Sequence, residues 1–297
     1  MKKVILFFMF LLTSLAYGAS ESLIWGKQLV PNILGYDKAG TLKLGHYFTI
    51  LEAQIVKPAF IVVVCFIILA FVIHYFIIGP KVFAHGKNKI YVFTVFNRAI
   101  HLLAVVAFVL LIPTGLIMMF GGFFGGGTFV RFCKDVHSYS TILFIISVIP
   151  MTTMWIGRML PSRDDIKWLM ILGGYLSKKK RPVPAGKFNA GQKMWFWVAV
   201  IGGIILILTG ISMYYQDFNL GISSSVGLSQ IDFLRACAIL HNVLGLIVLA
   251  IFLVHIYMSV FAIKGSLDSI VTGYKEEEEV EYMHSSYYKE LKEKKKI

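Results

Sequence analysis

The sequence predicts an all-α integral membrane protein, and three observations carry that prediction. Apolar residues make up 57% of the 297-residue chain and charged residues only 15%, against about 25% charge in an ordinary soluble domain. Mean hydropathy is +0.74. Five apolar runs are long enough to cross hydrocarbon about 30 Å thick, and the loops between them collect the basic residues. This balance excludes a disordered chain, a disulfide-stapled secreted scaffold and an ordinary cytosolic enzyme. The 29 Lys and Arg against 16 Asp and Glu would suggest nucleic acid on a soluble protein. Their place in loops and tail instead matches orientation in a bilayer, so no nucleic-acid partner is expected.

Taken in order, residues 1–18 read as a signal peptide. Lys2 and Lys3 open it, Val4 to Leu12 form a short apolar core, and Ala16-Tyr17-Gly18 offers a small-residue cleavage site. An uncleaved anchor extended to Leu15 is the rival reading. Residues 19–58 follow as a periplasmic N-terminal segment, and residues 59–79 form a first span. The remaining spans are 99–120, 137–157, 194–215 and 236–263. Pro113 and Pro150 fall inside two of them, which membrane helices tolerate when neighbours satisfy the freed carbonyls.

Loops set the orientation. Segment 80–98 holds Lys81, Lys87, Lys89 and Arg98 without an acid, and segment 158–193 holds nine basic residues against two aspartates. Segments 121–136 and 216–235 hold two and one. The excess of Lys and Arg places the first pair of loops and the tail, 267–297, on the cytoplasmic side, with the N-terminus on the opposite side. The tail, a four-glutamate run among lysines, reads as solvated or partner-binding rather than as a domain.

Inside the five predicted spans there is no Asp, Glu, Lys or Arg, and five histidines remain: His74, His101, His137, His241 and His255. An ionisable residue in a membrane helix is a functional hypothesis by default. His101 lies inside the start of the second span, His137 opens the third, and His241 lies near the start of the fifth. His255 follows His241 by 14 residues, about 21 Å along a helix and within about 40° of the same direction. His101 matches the depth of His255, and His137 that of His241. Two imidazole pairs at two depths suit a four-helix core holding two b haems, since each iron takes two axial ligands. Gly115, Gly202, Gly203, Gly210 and Gly245 would admit flat rings and close backbones. The competing reading makes the histidines helix-capping or interhelical hydrogen-bonding groups. His74 has no partner at its depth and reads as structural; His46, His85 and His284 read as solvated.

Arg98, one turn before His101, is a candidate for haem propionates, with Arg131 and Arg235 as counterparts on the outer side; headgroup contact is the alternative for each. Three cysteines without a CxxC pair make neither an iron–sulfur nor a zinc site. Cys133 and Cys237 are expected as free thiols.

From Arg98 to the tail the chain resembles the cytochrome b556 (gamma) subunits of membrane-bound formate dehydrogenases. The resemblance rests on Arg98-Ala99-Ile100-His101, on His137, on GKFNAGQKMWFW from Gly186 to Trp197, on Ile239-Leu240-His241, on Val254-His255-Ile256-Tyr257-Met258 and on Lys264-Gly265-Ser266. The histidines alone would also suit hydrogenase or thiosulfate reductase cytochromes; a haem-free transporter or anchor is the alternative from another class. The resemblance implies a di-haem domain over 98–266 with His101, His137, His241 and His255 as haem-iron ligands. It also implies menaquinone near Asn189, Gly191 and Gln192, whose amides can bond quinone carbonyls; a simple helix cap is the plainer reading of that turn. Implied partners are an iron–sulfur (beta) subunit and a molybdenum or tungsten catalytic (alpha) subunit. The chain itself would carry electrons rather than oxidise formate. The signal peptide, the 19–58 segment and the 59–79 span are additions to the shorter family members.

Overall fold

The computed structural model describes residues 44–84, 88–219, 221–295 and 297. The signal peptide, residues 19–43 and His85 therefore lie outside the described residues. Helix α1 (Leu44–Ile50) continues through a π-helical turn (Leu51–Val56) into α2 (Lys57–Ile77). A short strand β1 (Lys89–Tyr91) precedes α3 (Val95–Met119) and α4 (Gly127–Met159). Helices α5 (Arg163–Met170) and α6 (Ala190–Trp197) follow, and α6 runs through a second π-helical turn into α7 (Gly203–Tyr214). After the four-residue α8 (Ile222–Ser225) comes α9 (Gln230–Ile256), extended by a third π-helical turn, Tyr257–Phe261. Then come α10 (Asp268–Val271), β2 (Tyr274–Glu276), α11 (Glu277–Met283) and α12 (Ser285–Glu293).

Among the described residues five stretches are long and apolar enough to cross a membrane: Tyr47–Ile77, Val95–Met119, Gly127–Met159, Ala190–Tyr214 and Gln230–Phe261. All five predicted spans are present, and each helix begins earlier than its apolar run. The reason is that charge interrupts hydropathy but not the backbone hydrogen-bond ladder. Arg131, Lys134 and Asp135 all lie on α4 ahead of His137, so His137 does not open its helix. Asp232 and Arg235 form an ion pair at 2.9 Å in the first turns of α9. The first span carries Glu52 and Lys57, which corrects the expectation of charge-free spans. The Glu52 carboxylate accepts a 2.8 Å hydrogen bond from the Asn242 side chain, which helps a carboxylate tolerate that position.

Helix starts are set by local chemistry. Thr94 and Asn97 form a reciprocal capping box at the head of α3, at 3.2 and 3.3 Å, satisfying two otherwise orphaned amides. Asn189 and Gln192 do the same for α6, both at 2.9 Å.

The chain divides into two compact units. The smaller joins the described residues up to Val56 to Leu206–Val243. The larger joins Lys57–Ile205 to Leu244–Ile297. In the larger unit the C-terminal residues fold, contrary to the solvated tail read from composition. Strand β2 pairs antiparallel with β1, Ile90 opposite Lys275. Val183 donates to the Tyr282 carbonyl at 2.7 Å, Ser285 to Val183 at 3.1 Å and Tyr287 to Ala185 at 3.1 Å. Val280, Met283, Tyr287 and Leu291 are buried. The glutamate run misled because its charges are matched: Glu279 pairs with Lys275, Glu278 with Lys180 at 2.6 Å and Glu276 with Lys89 at 3.2 Å. His284, expected in solvent, is 3% exposed and bonds the Gly186 carbonyl through Nδ1 at 2.9 Å.

Candidate functional site: paired imidazoles among apolar helices

In the larger unit His101 on α3 faces His255 on α9. Their ring centroids lie 6.4 Å apart and their planes 59° apart. Trp195 stacks on His255 at 5.3 Å and 17°, and Trp155 stands 6.5 Å from His101. Phe93 and Phe188 close around Trp155 at 6.1 and 5.4 Å. Phe108 and Phe252, stacked at 5.4 Å, extend the aromatic lining. These rings make a dry, rigid surround for two imidazoles.

Three buried polar atoms around this pair have no hydrogen-bond partner among the described residues: Nδ1 of His101, Nε of Arg98 and Nε1 of Trp155. Each such orphan costs about 1–3 kcal/mol, so their gathering in one place fits a polar ligand. Arg98 is only partly engaged: its guanidinium also donates to the Val271 carbonyl. The 6.4 Å ring separation suits one metal between two imidazoles, each bond being about 2 Å long. Among the described residues no three His, Cys, Asp or Glu gather as a metal site. Two imidazoles at this separation fit an iron whose other donors come from a macrocycle.

His137, also in the larger unit, is oriented from α3. Its Nδ1 lies 3.0 Å from the Leu111 carbonyl and 3.1 Å from Thr114 Oγ1. A carbonyl only accepts, so Nδ1 carries the proton and Nε2 the lone pair, the arrangement found behind metal-ligating histidines. A Cβ on Gly115 would stand 3.3 Å from His137 Cε1, so glycine there lets the ring lie against the helix.

His241, in the smaller unit, repeats the device. Thr209 donates its hydroxyl to the Leu206 carbonyl at 3.2 Å and therefore accepts from His241 Nδ1 at 2.9 Å. A Cβ on Gly210 would stand 3.5 Å from His241 Cε1. Thr114 and Thr209 are histidine partners that sequence reasoning missed, although a repeat was readable: IPTGLIM over 112–118 and ILTGISM over 207–213. Of the other small residues, Gly203 fits the ring of Phe144, which a Cβ would meet at 2.5 Å, while at Gly245 a Cβ would meet nothing within 4 Å.

The remaining candidates divide. Side-chain oxygens of Asn189 and Gln192 are spent on their capping box, leaving the amide NH₂ groups as donors. A Cβ on Gly191 would stand 3.1 Å from the Trp168 ring, so this position packs the turn. His74 bonds Tyr257 Oη at 2.5 Å and the Tyr175 carbonyl at 2.9 Å, the structural part expected of it. Arg131 donates to Thr128 Oγ1 at 3.3 Å. Cys65, Cys133 and Cys237 are free thiols.

Comparison with known proteins fits this geometry. The chain is 28% identical over 197 residues to the cytochrome b556 subunit of formate dehydrogenase from Haemophilus influenzae, covering 65% of this chain and 79% of that one. It is 27% identical over 214 residues to the cytochrome b556(Fdn) subunit of the nitrate-inducible formate dehydrogenase of Escherichia coli, covering 69% and 94%. With the cytochrome b556(fdo) subunit of the same organism it shares 24% over 210 residues, 69% and 95%. The sequence pattern of prokaryotic cytochrome b561 matches residues 92–273, a stretch that holds all four histidines of the expected core. Paired imidazoles on apolar helices, the partnerless polar atoms beside them and a match over more than half its length agree: this multi-pass membrane chain belongs to the prokaryotic cytochrome b561 family, whose cofactor is haem b.

Proposed function

We propose that the chain is the membrane-anchor and electron-carrying subunit of a formate dehydrogenase complex. It takes electrons from a periplasmic iron–sulfur subunit, itself served by a molybdenum or tungsten subunit that oxidises formate, and delivers them to menaquinone. Two bound haems b would supply the one-electron transfer that this requires. His101 and His255 would hold one of them; His137 and His241, each presenting Nε2 because a threonine or carbonyl fixes Nδ1, are the ligand candidates left for the other. Arg98 and Trp155 offer donors to haem propionates.

The amide NH₂ groups of Asn189 and Gln192 would bond the quinone carbonyls near the His101 and His255 site. The loops carrying Lys81, Lys178 to Arg181 and Lys187 lie in the cytoplasm of a bacterial inner membrane, with the tail beside them, by their excess of positive charge. Uptake of cytoplasmic protons by quinone while electrons arrive from outside would make turnover electrogenic, at about 2.3 kcal/mol per charge across 100 mV.

The facing pair His101 and His255, set among partnerless donors, carries the haem reading; the names of the similar proteins support formate as the donor system. The test is formate-driven reduction of menaquinone in membranes with and without this chain. Loss on deletion and return on complementation supports the reading. Unchanged formate-driven reduction, with hydrogen- or thiosulfate-linked electron flow lost instead, overturns it.

A further inference from the structure

The larger unit carries a basic cavity where α2 ends. The helix stops at Ile77, Gly79 takes a φ of +81°, and Lys81 enters a parallel bridge with Ile263. Facing this turn is the segment Ser177–Lys180. Between them lies a cavity of about 280 Å³ lined by the 78–82 turn and by Ser177, Lys178 and Lys180.

Three ammonium groups border it and no carboxylate lines it. Lys81 is buried, and its ammonium is held in place by the Ser177 carbonyl and, at 3.2 Å, by that of Lys179. Two acceptors for three N–H bonds leave a donor over. Lys180 pairs with Glu278 at 2.6 Å and lies 5.2 Å over the Phe83 ring, so its position is fixed too. Lys178 is exposed. Directly before the cavity, the last turn of α2 exposes Phe76 and Ile77, at 81% and 62%. Apolar helix surface thus leads straight into a cationic recess at the end of a membrane helix. That is the outline of an anionic amphiphile, with acyl chains along α2 and an anion among the lysines.

We propose that this cavity binds the phosphate of an anionic phospholipid. A free phosphate ester would use the lysines but not the apolar surface of α2, and a zwitterionic lipid would bring its own cation into a recess already positive. The family match begins at residue 92, so α2 and its turn lie outside the matched stretch. The site joins that turn to Ser177, Lys178 and Lys180 of the matched stretch, and it does not depend on the electron donor.

The test is native mass spectrometry of the full-length, haem-loaded protein with phosphatidylglycerol, phosphatidylcholine or glycerol phosphate added. One phosphatidylglycerol is expected to stay bound under conditions that strip phosphatidylcholine. Lys178→Gln, and Lys178→Gln with Lys180→Gln, should lower that retention about fivefold for each lysine removed. Lys289→Gln, an exposed lysine away from the cavity, should leave it unchanged. The haem spectrum of each variant reports that it is folded. Equal retention of the two lipids, retention unaffected in the double variant, or displacement of phosphatidylglycerol by equimolar glycerol phosphate would overturn the proposal.

Discussion

Trp195 lies flat against the imidazole of His255, ring centroids 5.3 Å apart and planes 17° apart. The two residues come from different helices, so the stack ties the last turn of α6 to the far end of α9 and fixes the plane of the histidine. An aromatic pair of this kind contributes about 1 kcal/mol, enough to orient a ligand but not to hold a haem. Trp195→Leu should therefore leave haem content unchanged while shifting the low-spin electron paramagnetic resonance signal of one haem. Unchanged signals for both would show that the stack orients nothing.

The threonine–glycine pairs predict a graded effect. Thr209→Val keeps shape and removes the hydroxyl that accepts from His241 Nδ1. Loss of such an outer partner costs about 10–100-fold in metal-site affinity. Haem titration into the apoprotein should show one weakened site and one unaffected, and Thr114→Val should weaken the same site.

Asn189 separates a cap from a ligand contact. Asn189→Asp keeps the oxygen that accepts from Gln192 N and loses the amide donor. Asn189→Ala loses both, at about 1 kcal/mol of cap. The quinone proposal expects the aspartate variant to melt with the wild type yet show a severalfold higher KM for quinone. Wild-type KM in Asn189→Asp would leave the turn as a cap alone.

The folded tail predicts a pH dependence. Burial, with the Lys275 ammonium nearby, pushes His284 down to about 3. Its value in an opened tail is about 6.5, so the closed form binds fewer protons between those limits. This contribution to stability is complete above about pH 6.5 and is lost progressively as pH falls toward 3. Limited trypsin cleavage at the C-terminal lysines should therefore rise steadily from pH 7 to pH 5. His284→Gln, which keeps a donor for the Gly186 carbonyl, should flatten that rise. Glu290 acts at lower pH. Its hydrogen bonds to Arg158 and Lys294 hold its carboxyl down at about 2, so its contribution is present above the usual carboxylate range and fades only below it.

Much of this was legible in the chain. Apolar runs mark five helices because a bilayer admits few other solutions, and the histidines stand out against spans poor in charge. Helix ends were not legible: α4 passes through Arg131, Lys134 and Asp135 before reaching His137. Glu52 escaped notice because the first helix begins well before its apolar run, and its partner Asn242 is distant in sequence. The tail was misread because composition reports charge without its pairing; Glu279 is buried beside Lys275. Thr114 and Thr209 were visible only as a repeat whose purpose needed the fold.

The central claim is that imidazole pairs of this chain bind two haems b. Pyridine haemochrome analysis of the purified full-length protein, expressed with ample haem, tests it most directly. The account predicts two b haems per chain, falling to one when His255 is replaced by Ala. A preparation without haem, or one that keeps both haems in the His255→Ala variant, would contradict it.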